Sequence, residues 1–254
     1  MYDVHCHLDQ PSMLQRLDNI TKAKVKGLLT SGINSMSWLE NLRIAEKYPF
    51  NVSLGLHPFF VKDKDKQLDN LKKLLCESSV IAVGEIGLDY YNDYVSTKDI
   101  QQEVFYKQLV FARDLNLPVI VHCRKAYDDL YSILKKVQVP ALIFHSFSGS
   151  EQDIIKMKEF NSYFSFGFPI VNENNKKHRR LVKLLSLDRL LLETDAPYMR
   201  TKQMNGENTY SDPTDIYLVY SAVAEVLGMS LIELVEQIER NVKTIWKNFK
   251  ELSN

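Results

Sequence analysis

Residues 118–145, PVIVHCRKAYDDLYSILKKVQVPALIFH, decide the architecture. A proline-led apolar run ends on His122, an amphipathic stretch follows over residues 125–137, and a second apolar run ends on His145. Short continuous apolar runs of this kind read as strands buried on both faces, and the 3.6-residue periodicity between them reads as a helix laid over the sheet. The segment is one strand, its crossover helix and the next parallel strand. Working outward, the pattern recurs. Strands are expected at residues 2–7, 27–30, 51–56, 80–85, 118–122, 141–145, 163–166 and 190–193, with helical stretches such as residues 97–116 between them. Eight such units in 254 residues match the count and size of a closed barrel, so an α/β fold of the (β/α)8 TIM-barrel type is predicted, one domain over residues 1–254.

Glycine and proline punctuate the joints, among them Gly55, Pro58, Gly84, Gly87, Pro140, Gly167 and Pro197. The longest irregular piece, residues 197–213, reads as a loop after the eighth strand, and residues 215–227 and 231–252 read as closing helices. Composition agrees with a folded chain: 45% hydrophobic and 25% charged residues are enough for a sizeable core. Lysine plus arginine and aspartate plus glutamate number 32 each, and a formal charge of zero argues against a protein that coats long duplex nucleic acid by bulk electrostatics. Cys6, Cys76 and Cys123 form no C-x-x-C pair and leave one cysteine over in any bridging scheme, which fits a reducing, cytoplasmic setting. No apolar run approaches the roughly 18 residues of a membrane span, and with the first strand starting at Met1 no leader is expected. No membrane partner is expected, and a monomer is.

Imidazole and carboxylate groups stand where five apolar runs end: His5 and His7 in YDVHCH, Glu85 in IAVGE, His122 in PVIVH, His145 in ALIFH and Asp195 in LLLETD. In a barrel the carboxyl ends of the strands share one rim, so residues distant in the chain can aim at one point. Six histidines in 254 residues give an H-x-H pair by chance about 0.14 times per chain, so the pair alone is a modest signal. Its place on a strand sharpens it, because side chains two apart share a face. His122 and His145 close consecutive units, and consecutive barrel strands are neighbours. Glu85 ends an apolar run, where an unpaired carboxylate is costly without a cation or hydrogen-bond donors. Nitrogen and oxygen donors without thiolates suit Zn, Mn or Mg. The residues therefore read as ligands of divalent metal, with Glu85 placed to bridge two ions and Asp195 able to bind and to take a proton from an attacking water. Glu193 shares the strand face of Asp195 and reads equally as structural or supporting.

Together MYDVHCHLD, GLHP, VGEIGLDYY, PVIVHCRKA, FHSFSGS, ETDAPY and ERNVKTIW resemble the TatD family of metal-dependent deoxyribonucleases over nearly the whole chain and in the family's order. The H-x-H pair is common to many metallohydrolases, whereas GEIGLDYY with ETDAPY is specific. The resemblance implies a (β/α)8 barrel holding a pair of divalent metals, ligands at His5, His7, Glu85, His122, His145 and Asp195, and hydrolysis of DNA phosphodiester bonds. Exonucleolytic attack on single-stranded DNA or a DNA end is the expectation, although the residues themselves leave end or internal cleavage and strand preference open; the near-neutral charge favours a short or single-stranded substrate gripped locally. The chain departs from the family beyond ETDAPY: a basic segment is usual there, but the sequence runs MRTKQMNGENTYSDP, with Asn205, Gly206 and Glu207 at the corresponding place. Either Arg200 and Lys202 compensate or the preferred substrate differs.

Substrate contacts are expected from Arg124, whose guanidinium can grip a phosphate bidentately, and from His57 in GLHP. Tyr90 and Tyr91 read either as loop packing or as a surface for a base, and the run Lys176 to Arg180 reads first as a solvated helix start. Two other functions compete. A barrel amidohydrolase or deacylase would use a similar rim on a carbonyl, often with a modified lysine bridging its metals where this chain has Glu85. A metal-holding scaffold without turnover is the third reading.

Overall fold

The computed structural model of the chain describes residues 1–22, 24–199 and 210–252. All eight expected strands form: β1 (Tyr2–Cys6), β2 (Gly27–Gly32), β3 (Asn51–Leu54), β4 (Ala82–Asp89), β5 (Val119–Arg124), β6 (Leu142–Phe144), β7 (Ser162–Phe166) and β8 (Leu190–Leu192). They belong to one eight-stranded sheet in the order β1 to β8, and the pairs β1–β2, β3–β4, β4–β5, β5–β6 and β7–β8 are parallel. Helices follow the strands: short α1 (Pro11–Leu14) and α2 (Leu17–Thr21), then α3 (Ser35–Lys47), α4 (Lys64–Glu77), α5 (Lys98–Asp114), α6 (Tyr127–Leu134), α7 (Glu151–Met157), α8 (Lys176–Leu184), α9 (Ile216–Leu227) and α10 (Leu231–Ile245). Sequence-ordered parallel strands with intervening helices are the connectivity of a (β/α)8 barrel. Backbone bonds beyond β8 continue the ladder to β1, where Asp195 N donates to His5 O (2.9 Å) and His7 N to Ala196 O (2.7 Å).

Two strand ends lie beyond where the sequence puts them. β4 runs on to Asp89 and β5 to Arg124, so Glu85 and His122 stand within strands. Gly87 is the reason. At φ 151° it brings β4 so near β5 that a Cβ on it would stand 1.8 Å from the His122 carbonyl oxygen. Only glycine fits, and pairing continues through Gly87 with His122, Leu88 with Cys123 and Asp89 with Arg124. A register shift between Val83 and Ile86 places a local irregularity at Glu85, the device by which strands re-aim a side chain. The last helix also stops early: Trp246 leaves it in extended backbone and buries its ring. Of the expected loop 197–213, residues 200–209, with Arg200, Lys202, Asn205, Gly206 and Glu207, lie outside the described residues.

By its internal contacts the chain forms two compact units. The first comprises Met1–Thr30, Ile44–Asn51 and Phe164–Asn254. Its core includes Val4, Leu28, Phe166, Leu191, Val219, Val223, Leu234 and Ile238. The Tyr220 hydroxyl accepts from Tyr2 N (3.0 Å) and donates to Tyr2 O (3.1 Å), so one side chain satisfies both backbone groups at the start of β1. α9 ends at Gly228, left-handed at φ 65°, and α10 begins with a Ser230–Glu233 capping box.

The second unit comprises Ser31–Arg43 and Val52–Tyr163. Its core includes Trp38, Leu54, Val83, Ile86, Phe105, Leu109, Ile120 and Phe144. α5 buries two glutamines on its inner face. Gln101 exchanges hydrogen bonds with the backbone of Asp89 (2.8 and 2.9 Å), and Gln108 with that of Leu56 (2.7 and 3.1 Å). Among the described residues no single helix is long and apolar enough to cross a membrane.

Candidate metal centre

In the first unit β1 and the residue that follows it carry His5 and His7 to one face, while Cys6 points the other way and donates its thiol to Leu29 O at 3.4 Å. The segment after β8 brings Asp195 to the two rings. His5 Nε2 and His7 Nε2 are 3.2 Å apart, and Asp195 Oδ1 lies 3.6 Å from the first and 3.3 Å from the second. All three residues are buried. Asp195 adopts φ 54°, a left-handed backbone that only glycine, asparagine and aspartate take readily. Asp3 fixes the surroundings: it accepts from His5 N (3.3 Å), Thr194 N (3.0 Å) and Thr194 Oγ1 (2.6 Å). Burial outweighs these donors and raises the Asp3 pKa to about 8.

In the second unit three imidazoles converge on one carboxylate oxygen. Glu85 Oε1 lies 2.8 Å from His122 Nδ1, 2.8 Å from His145 Nε2 and 3.3 Å from His57 Nε2, with His122 Nδ1 and His145 Nε2 3.2 Å apart. The far nitrogen of His122, Nε2, lies 3.0 Å from Asp89 Oδ2. Asp89 is held in turn by Tyr91 N, which donates to its Oδ1 at 2.8 Å. Asp89 is thus the acceptor for an Nε2 proton on His122, so that with a cation bound Nδ1 would be the ligand atom on the side of Glu85 and His145. His57 is set the other way. Its Nδ1 accepts from Phe59 N (3.2 Å), so its proton sits on Nε2 towards Glu85.

Burial opposes charge on every member of this cluster, and its neighbours decide the outcome. For Glu85 burial is outweighed by His145, His57 and His122, which hold the carboxyl well below its usual range. For His122 burial is outweighed by the carboxylates of Asp89 and Glu85, which raise its pKa. For His57 burial wins over Glu85 and lowers the pKa to about 4, leaving a neutral N–H donor.

The donor spacings fit a divalent ion. With bonds of about 2.0–2.1 Å to nitrogen, neighbouring ligand atoms of a tetrahedral site stand about 3.3 Å apart. The separations 3.2, 3.3 and 3.6 Å among His5, His7 and Asp195 match that edge, whereas among Glu85, His122 and His145 only the 3.2 Å between the two imidazoles does, the two 2.8 Å contacts to Glu85 being hydrogen-bond distances.

The structure thus brings His5, His7 and Asp195 together in one unit and Glu85, His122 and His145 in the other, with His57 joining the second group. Arg124 is exposed, its guanidinium 3.6 Å from the centroid of the Tyr91 ring. The run Lys176 to Arg180 opens α8, where Asn175 caps His178 N and Arg179 pairs with Glu225, in keeping with a solvated helix start. Glu193 is buried. Sequence reasoning missed Asp89, Asp3, Gln101 and Gln108. Asp89 stood in the quoted VGEIGLDYY, and the two glutamines lie seven apart, two helical turns on one buried face.

A (β/α)8 chain whose strands present two buried groups of imidazole and carboxylate donors defines a class, the metal-dependent barrel hydrolases. The model of the family described as TatD related DNase matches residues 2–247, and the chain belongs to that family. Among curated relatives, the uncharacterized metal-dependent hydrolase YabD of Bacillus subtilis is 32% identical, the match covering 97% of this chain and 99% of the relative. The 3'-5' ssDNA/RNA exonuclease TatD of Pantoea vagans is 28% identical over 97% of this chain and 99% of its own. Among solved structures, the TatD homologue YjjV of Escherichia coli K12 superposes with a TM-score of 0.89 at 30% identity, covering 97% and 98% of the two chains. The fold class read from the strand pattern is that of this relative.

Proposed function

We propose that the protein is a deoxyribonuclease that hydrolyses phosphodiester bonds of single-stranded DNA from an end, using two divalent cations. The observation that carries this is the spacing of the buried His5 Nε2, His7 Nε2 and Asp195 Oδ1, which fits the edge of a metal's ligand shell. The family and the relative named as a 3'-5' ssDNA/RNA exonuclease support the choice of phosphodiester. In this reading His5, His7 and Asp195 hold one cation and Glu85, His122 and His145 the other. Assigning both groups to one reaction is part of the proposal, and rests on the rule that barrel chemistry collects at the carboxyl ends of the strands. Such ions lower the pKa of water and offset charge on phosphate oxygens.

The chain's own groups do the rest. Asp195 orients the attacking water and accepts its proton. Asp89 keeps His122 in the tautomer that leaves Nδ1 unprotonated. His57, neutral and with its proton on Nε2, would turn that donor from Glu85 to a phosphate oxygen once Glu85 is engaged by the cation, and Arg124 grips a second phosphate. The free thiols of Cys6, Cys76 and Cys123 support a cytoplasmic location, and one chain is taken as the working unit. The carboxylate at Glu85, where a bridging lysine would favour amide hydrolysis, weighs against the deacylase reading. End-labelled single- and double-stranded DNA, incubated with metal-replete protein with and without chelator, tests the proposal. A chelator-sensitive ladder shortening from the 3' end of the single strand is expected. Intact DNA alongside a hydrolysed amide or ester would overturn it.

A further inference from the structure

Beside the Glu85 group stands an aromatic surface that the proposed chemistry does not use. Phe59 and Tyr94 come from two separate 3-10 turns, Pro58–Asp63 and Asn92–Thr97, and their rings stack at 3.9 Å with an interplanar angle of 12°. Both rings reach the surface, Phe59 being 38% and Tyr94 39% exposed. The pair touches the site directly: the Phe59 ring meets His57 edge-on at 4.4 Å and lies 6.2 Å from His122. Positive charge is tied to the same turn through Tyr91, whose carbonyl accepts from Tyr94 N at 3.3 Å. The side chains of Arg124 and Lys125 both stand over the Tyr91 ring, at 3.6 and 4.8 Å from its centroid, and both residues are exposed. Tyr90 and Tyr91, the aromatic pair that the sequence offers for a base, are otherwise engaged, Tyr91 under these cations and Tyr90 in a hydrogen bond to Asp129 at 3.0 Å.

We propose that the Phe59–Tyr94 stack is the platform on which a base of the single-stranded substrate lies, with Arg124 and Lys125 taking an adjacent phosphate. The inference rests on the nuclease reading for its ligand and deepens it. A base has a π-face whatever its identity, so stacking binds single strands with little sequence preference. A duplex, whose bases are already stacked, offers this surface only its terminal pair. Exposed apolar rings, flanking cations and a neighbouring candidate metal group together match a nucleotide's base, phosphate and scissile bond.

The test combines kinetics with stopped-flow fluorescence on metal-replete protein, using single strands that carry 2-aminopurine or an abasic nucleotide near the cleaved end. Tyr94→Ala is expected to raise KM about tenfold with kcat within about twofold, the scale of one lost base stack, and Tyr94→Phe to behave as wild type. The abasic strand should raise the wild-type KM by a similar factor and add nothing in Tyr94→Ala, the non-additivity expected of two groups in contact. Quenching of 2-aminopurine before turnover should be lost in Tyr94→Ala and in Phe59→Ala. Turnover of DNA with KM and quenching unmoved in both alanine variants overturns the platform and leaves the nuclease reading standing. Quenching that depends on Tyr94 without any DNA hydrolysis by wild type supports the platform and removes the nuclease reading.

Discussion

Asp195 carries its carboxylate on a left-handed backbone, a conformation that costs most side chains about 1–2 kcal/mol. Asparagine tolerates that backbone as well, so Asp195→Asn removes the charge and leaves the local fold. Turnover should fall by at least about a hundredfold, the usual scale for a lost acid–base group, with an unchanged circular dichroism spectrum. Near wild-type rates in the metal-replete variant would remove Asp195 from its role. Asp89 makes a separate claim, through the proton it holds on His122. Asp89→Asn should weaken metal binding about 10–100-fold in a chelator competition; unchanged affinity would reduce Asp89 to a turn residue. The six proposed ligands were legible because a polar group closing an apolar run stands out. Asp89 was not, because it reaches His122 only through the extra length of β4, which the sequence pattern ended at Glu85.

That extra length depends on one glycine, and elements built on close approach fail differently from elements built on a turn. Gly87→Ala meets both a forbidden φ and the His122 carbonyl, and should cost about 3 kcal/mol or more in urea unfolding. Gly228→Ala has the φ without the collision, since nothing lies within 4 Å of the added Cβ, and should cost only about 1 kcal/mol. Equal losses would refute the distinction. A pH-dependent tie links α10 to the barrel's first strands, where Glu239 pairs with Lys243 (2.5 Å) and Lys26 (2.6 Å). Hydrogen bonds from these lysines hold the Glu239 pKa at about 2, against 4.5 for the free group. A depressed carboxylate stabilises above 4.5 and loses that contribution as pH falls through 2. Glu239→Gln should therefore lower stability at pH 7 by no more than about 1 kcal/mol, since the pair is partly solvated, and the deficit should vanish near pH 2. A deficit constant from pH 7 to pH 2 would point to packing instead. Strands and helices were legible as alternating patterns; their ends were not, because ends are set by contacts between elements, as at Gly87 and Trp246.

For the whole molecule, bound metal and stability are linked. Imidazole ligands must be neutral to bind, so occupancy should decline as pH falls below about 6.5, the ordinary histidine value. Chelator should lower the melting temperature at pH 7.5, and the difference between treated and untreated protein should shrink towards pH 5. A gap that persists at pH 5 would argue against histidine ligation. The barrel class was legible because eight strand and helix units exceed what an open sheet of this length needs, and the family model covers the chain. Gln101 and Gln108 were hidden because a buried amide looks like any polar residue until its partner is seen. They make α5 a ruler: seven residues set the distance between the anchor at Asp89 and the anchor at Leu56. Substitutions on the outer side of that helix should pass unnoticed, whereas one inserted alanine between the two amides would swing the second by about 100° and release the loop that carries His57. Length there is more constrained than identity, a property that deletion and insertion scanning would register and point-mutation libraries would overlook.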